Sequence, residues 1–214
     1  MYKNSCVLVS MLLTLSVSFF VHSATDEEMV KWTFATYVNA VTNDKGILAY
    51  SSVDKNTRDY YDYVYKVSMD LSNENFSSIS ILDKIHILTV RYMISEDKLS
   101  KMNGEKLFIY AVNNGWVDKS RLLGISIGNV HIKEDFASGQ VIVGGQPMPL
   151  NCHFYKEQGE WKIDVNIIAK WGESLFIQQQ KLSGLSEDEF VFQVLKEMSR
   201  GKFNIDSARS PLKV

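Results

Sequence analysis

Three histidines, one cysteine and a set of tyrosines hold most of the chemistry open to this chain once its first 23 residues are set aside. His86 sits on the Leu82, Thr89 and Met93 side of a predicted helix, beside its apolar stripe, where it reads as a core or pocket-rim histidine. His131 and His153 alternate with apolar neighbours, so both face outward if Val130, Ile132, Cys152 and Phe154 face in. Cys152 is then an inward-pointing small hydrophobe, and His153 turns away from it, which leaves no Cys/His nucleophile pair. No H-E-x-x-H or C-x-x-C run occurs, and the histidines lack a ligand spacing, so neither a metal nor a cofactor is expected. Asp83 and Arg91 flank the His86 stripe as structural polar groups, while Lys162 and Asp164 read as solvated strand charges. No catalytic residue is assigned on these grounds.

The tyrosines point elsewhere. Tyr37, Tyr61, Tyr65, Tyr92 and Tyr110 fall on or near predicted buried helix faces, and Trp116 and Trp161 join them. An aromatic interior with polar tips either lines a pocket for a small apolar ligand or is a filled core. The candidate lining is Tyr37, Tyr61, Tyr65, His86, Tyr92, Trp116, Cys152, Phe154 and Trp161.

The elements that must position these residues are readable from period and punctuation. Thr25-Asp-Glu-Glu28 is a capping box opening a helix with Val30, Phe34, Tyr37, Val38 and Val41 on one face. A second helix is predicted from Ser52 or Asp54 to Asp70, and Asn73 to Ser78 reads as a polar break. A third runs from Ile79 to Ile94, with Leu82, Ile85, Leu88, Thr89 and Tyr92 as its buried stripe. A short helix follows Ser95, and another continues from Glu105 to Val112. Strands are predicted at Leu122 to Lys133, Phe136 to Val143, Met148 to Lys156 and Glu160 to Ala169. In the last hairpin, parity puts Leu150, Cys152 and Phe154 on the face shared by Trp161, Ile163 and Val165. Trp171 to Leu182 returns to helical period. Ser186-Glu-Asp-Glu189 is a second capping box, and its helix stops at Gly201. Helices first and a strand meander second predict an α+β fold: N-terminal helices on a bent four-stranded antiparallel sheet, with further C-terminal helices.

The chain begins as a secretory leader does. Lys3 precedes an apolar run of about fifteen residues, Val7 to Val21, and Val21-His-Ser23 offers a cleavage site. That run is shorter than the roughly 20 residues of a membrane span, so no stable anchor is expected after cleavage. Residues 1–23 are read as a signal peptide, 24–205 as one domain and 206–214 as a flexible tail. The product would be periplasmic or secreted. Cleavage removes Cys6 and leaves Cys152 alone, so no internal disulfide can form. It also removes Lys3, leaving 22 basic against 25 acidic side chains, a balance that gives nucleic acid no basic surface.

Several runs resemble exported bacterial proteins of the nuclear transport factor 2-like (cystatin-like α+β cone) superfamily. They are Asp83-Lys-Ile-His-Ile-Leu-Thr-Val-Arg91, Met102-Asn-Gly-Glu-Lys-Leu-Phe-Ile-Tyr-Ala-Val-Asn-Asn-Gly-Trp116, Phe154-Tyr-Lys-Glu-Gln-Gly-Glu-Trp-Lys-Ile-Asp164 and Ser186-Glu-Asp-Glu-Phe190. The resemblance covers most of the chain after the leader and implies a cone with an inner wall built by the sheet. The members of that subgroup carry no assigned activity. Elsewhere in the superfamily, isomerases and dehydratases place an Asp or His with a Tyr donor inside the cone. The leading expectation is an exported, non-catalytic binding or interaction protein whose aromatic-lined cone holds a small apolar ligand. The alternative is a small-molecule isomerase or dehydratase hinging on His86 with Tyr61, Tyr65 or Tyr92. The convex sheet face is the expected surface for a homodimer.

Overall fold

Thr25 starts the first helix as its residue type predicts: its Oγ1 accepts from the Glu28 N–H at 3.3 Å, and Glu28 accepts from the Thr25 N–H at 2.8 Å. The structure, a computed structural model, describes residues 24–117 and 119–210. Residues 1–23, the segment expected to be a signal peptide, therefore lie outside the described residues. Helices α1 (Asp26–Thr42), α2 (Gly46–Ser52) and α3 (Lys55–Met69) come first, then α4 (Asn73–Ser78), α5 (Ile81–Met93), α6 (Glu96–Leu99) and α7 (Gly104–Asn113). Asp54, Ser80 and Asn103 cap α3, α5 and α7 by accepting the N–H three residues on. Strands β1 (Ile125–Lys133), β2 (Phe136–Val143), β3 (Gln146–Glu157) and β4 (Glu160–Asp164) follow, and α8 (Asn166–Ser183), α9 (Glu187–Met198) and α10 (Ile205–Arg209) close the fold.

The fold is α+β, with helices before and after an open antiparallel sheet of order β1-β2-β3-β4. Register shifts after Ile127 and after Gln140 bulge the sheet. Gln158 and Gly159 join β3 to β4 with positive φ, 52° and 85°, the backbone that a tight two-residue hairpin turn demands. Phe154 pairs with Ile163, so the alternation read from sequence does set one apolar face. That face carries Ala137, Val141, Cys152, Phe154, Trp161 and Ile163 and packs on Phe34, Tyr37 and Val41 of α1 and Phe108 of α7. At Gly139 a Cβ would sit 2.6 Å from Ile127 Cγ2, so the Ile127 side chain occupies space that only a glycine leaves open.

A second apolar core joins α3, α5 and α9 through Val64, Ile85, Leu88, Val191 and Leu195. Two charged side chains staple it. Lys84 reaches Glu187 at 2.6 Å and Asp188 at 2.9 Å, and Arg91 donates to the carbonyls of Ser68, Ala208 and Ser210. Among the described residues, no helix is long and apolar enough to cross a membrane.

Some local expectations are corrected. Asn73 to Ser78 is not a break but a turn of helix, because Phe76 is fully buried and anchors it. The last strand stops at Asp164, whose Oδ1 accepts the Asn166 N–H at 2.9 Å and turns the chain into α8. Tyr92 is 37 % exposed and packs edge-on to Phe203, while α5 buries Ile81, Ile87 and Val90 over a wider arc than one stripe. The segment from Asp206 lies in α10, where Ala208 is buried, and residues 211–214 lie outside the description.

Candidate functional site

The side chains proposed as a cone lining divide between two places. Tyr37, Cys152, Phe154 and Trp161 are buried within the sheet-side core, where side chains of α1 and α7 pack against one face of the sheet. Burial pushes the Cys152 thiol up to about 12, which leaves no thiolate for nucleophilic work. Tyr37 is also pushed up by burial and by the nearby Tyr61 and Cys152. Trp161 Nε1 donates to Asp26 Oδ1 at 2.8 Å, and Lys156 Nζ donates to the same oxygen. Those are packing roles.

Tyr61, His86 and Trp116 come together elsewhere. They line a cavity of ≈ 310 Å³ between α3, α5, α7 and α8, walled also by Val64, Leu107 and Phe176. Tyr61 packs edge-on to Phe108 at 4.8 Å, so its ring belongs to both the cavity wall and the sheet-side core. Burial pushes its hydroxyl up to about 12, which keeps it protonated. Tyr65 is half-buried in the helical core, and neither it nor Tyr92 lines the cavity. A hollow of ≈ 410 Å³ between α1 and β1 is larger, but Lys31 is its one charged residue and no acid or histidine lines it.

One polar cluster borders the apolar cavity. The Tyr60 hydroxyl donates to Asp83 Oδ1 at 2.8 Å and lies 2.6 Å from His86 Nδ1. Tyr63 adds a longer hydrogen bond to Asp83 Oδ2 at 3.5 Å. Burial holds the His86 ring below its ordinary value, with the Asp83 charge acting against that shift. Burial and the Asp83 charge both raise Tyr60. The cluster therefore pairs a neutral imidazole with a protonated phenol at the edge of an apolar space. Tyr60 and Asp83 also border a surface hollow of ≈ 460 Å³ with Asp59, Lys170 and Glu173, and Tyr60 and Leu82 line both this hollow and the cavity.

Sequence reasoning named His86 but missed Tyr60, and it placed Asp83 as a structural flank. The signal available was the i, i+3 spacing of Asp83 and His86, which puts both on one side of α5. His131 is exposed, and His153 is half-buried against Phe136 on the sheet's other face, so neither approaches the cavity. Among the described residues, no group of three or more His, Cys, Asp or Glu side chains is arranged to hold a metal ion. Comparison of the chain with protein-family models, with curated proteins and with solved structures finds no match.

Proposed function

We propose that the protein is exported and binds a small apolar ligand without turning it over. The site is the cavity between α3, α5, α7 and α8, not the packed face of the sheet. The observation that carries this reading is an apolar space of ≈ 310 Å³ walled by Tyr61, Trp116 and Phe176, beside a sheet face already filled by the chain's own side chains. Native mass spectrometry and thermal shift with a panel of apolar compounds test it. A ligand at a hundred times its dissociation constant adds about 2.7 kcal/mol, which for this size raises the melting temperature by roughly 5–10 °C. No adduct and no shift across the panel overturns the reading.

A second reading, a small-molecule isomerase or dehydratase, is favoured by His86 and Tyr60 standing at the cavity wall. Deuterium uptake from solvent into a bound carbonyl compound would support it; a compound recovered unlabelled would sink it. The kinship with exported cone proteins is part of the same proposal, supported by helices packed on one face of a bulged sheet. So is a homodimer through the sheet, supported by the Phe136, His153 and Tyr155 ring cluster on the other face. Light scattering that returns a monomer mass removes the dimer.

A further inference from the structure

The hydrogen bonds behind the cavity wall fix which proton His86 carries. A carboxylate only accepts, so the single Tyr60 hydroxyl proton is committed to Asp83 Oδ1 at 2.8 Å. The Tyr60 oxygen, 2.6 Å from His86 Nδ1, can then only accept, and Nδ1 must supply the hydrogen. Burial disfavours the doubly protonated ring, so Nε2 is left with a lone pair. Nε2 has no hydrogen-bond partner among the described residues, and His86 lines the cavity. The hydroxyls of Tyr61 and Thr89, also at the wall, can both donate and accept. Among the described lining side chains His86 thus presents the strongest free atom that accepts but cannot donate, the Met198 sulfur being only a weak acceptor.

We propose that the cavity takes an apolar molecule bearing one hydroxyl donor, an aromatic or alicyclic alcohol, whose O–H is accepted by His86 Nε2. Tyr60 and Asp83 are positioning residues that hold the ring in the tautomer this needs. The inference rests on the cavity being a ligand site. The cavity has about twice the volume of the roughly 150 Å³ space that holds benzene, which suits two fused rings. An occupant without a donor would bury Nε2 unpaired, and that mismatch sets the preference.

Three probes separate this inference from the reading beneath it: naphthol, its methyl ether and naphthalene, titrated against the intact protein by calorimetry. Naphthol should bind roughly tenfold more tightly than the other two, the scale of one neutral hydrogen bond. Nitrogen NMR of the His86 ring should report Nδ1 protonated and Nε2 bare. In Tyr60→Phe the ring is free to move its proton to Nε2, and the preference should fall to within about twofold. Equal affinities in the unaltered protein, or a ring protonated at Nε2, overturn the inference and leave the cavity reading standing. Failure of all three probes to bind overturns both. The unaltered protein supplies the decisive comparison whether or not Tyr60→Phe folds.

Discussion

His86 makes the cavity sensitive to acid, and the direction follows from which state binds a proton first. The folded ring titrates below the ordinary 6.5 because burial penalises its charge. As pH falls through the ordinary value, the unfolded chain takes up a proton that the folded chain refuses, so stability declines. The decline continues until pH reaches the folded value, where both states are protonated. Urea unfolding between about pH 7 and pH 5 should show this loss, and His86→Gln should have a shallower pH dependence. Identical slopes would mean the ring is not held neutral. Cys152 gives a second check at this scale. With its thiol pushed up to about 12, it should resist alkylation near pH 8 in the folded protein and react once urea is added. Peptide mapping of the modified cysteine reads the difference, and rapid labelling of native Cys152 would place it outside the core.

Helix α7 reaches α3 only because residue 104 has no side chain. Gly104 N–H donates to Asp62 Oδ1 at 3.1 Å, and a Cβ there would lie 2.5 Å from Asp62 N and 2.6 Å from Asp62 Cα. Those neighbours are backbone, so Gly104→Ala must push the helices apart. The expected cost is about 2–3 kcal/mol, a fall in melting temperature of roughly 5–10 °C. Because α3 and α7 both wall the cavity, naphthol affinity should drop as well, and an unchanged melting curve would show that the crossing has slack. The starts of α1 and α9 are legible in the sequence because a capping box is a local device, complete in the four residues Thr25–Glu28 or Ser186–Glu189. The β3–β4 hairpin is legible for the same reason: alternation and turn lie within one short stretch. The end of β4 is not, since Val165 keeps strand parity while its N–H goes to Thr57 Oγ1 at 3.1 Å, a partner 108 residues away. Tyr60 escaped notice on similar grounds. Its partners Asp83 and His86 lie 23 and 26 residues on, and nothing local announces the packing of α3 on α5.

The two cores are joined through shared helices, and that determines how the whole molecule should unfold. Leu107 and Phe108 are adjacent on α7, yet Leu107 belongs to the helical core and Phe108 to the sheet-side core. On α3, Tyr61 packs against both. Neither half can lose its packing without removing a wall from the other, so heat or urea should produce one transition. Phe108→Ala tests the coupling from the sheet side. Removing a fully buried ring costs about 3–5 kcal/mol and takes away the edge contact that holds Tyr61. In a coupled molecule the whole curve moves: far-ultraviolet and near-ultraviolet circular dichroism shift together, and amide exchange accelerates in α5 and α9 as much as in β2 and β3. If α5 and α9 kept their original protection while the sheet opened, the cores would be separate units and the cavity would belong to the helical one. One shared transition instead makes the cavity a fixed feature of a single folding unit, its shape held by both cores at once.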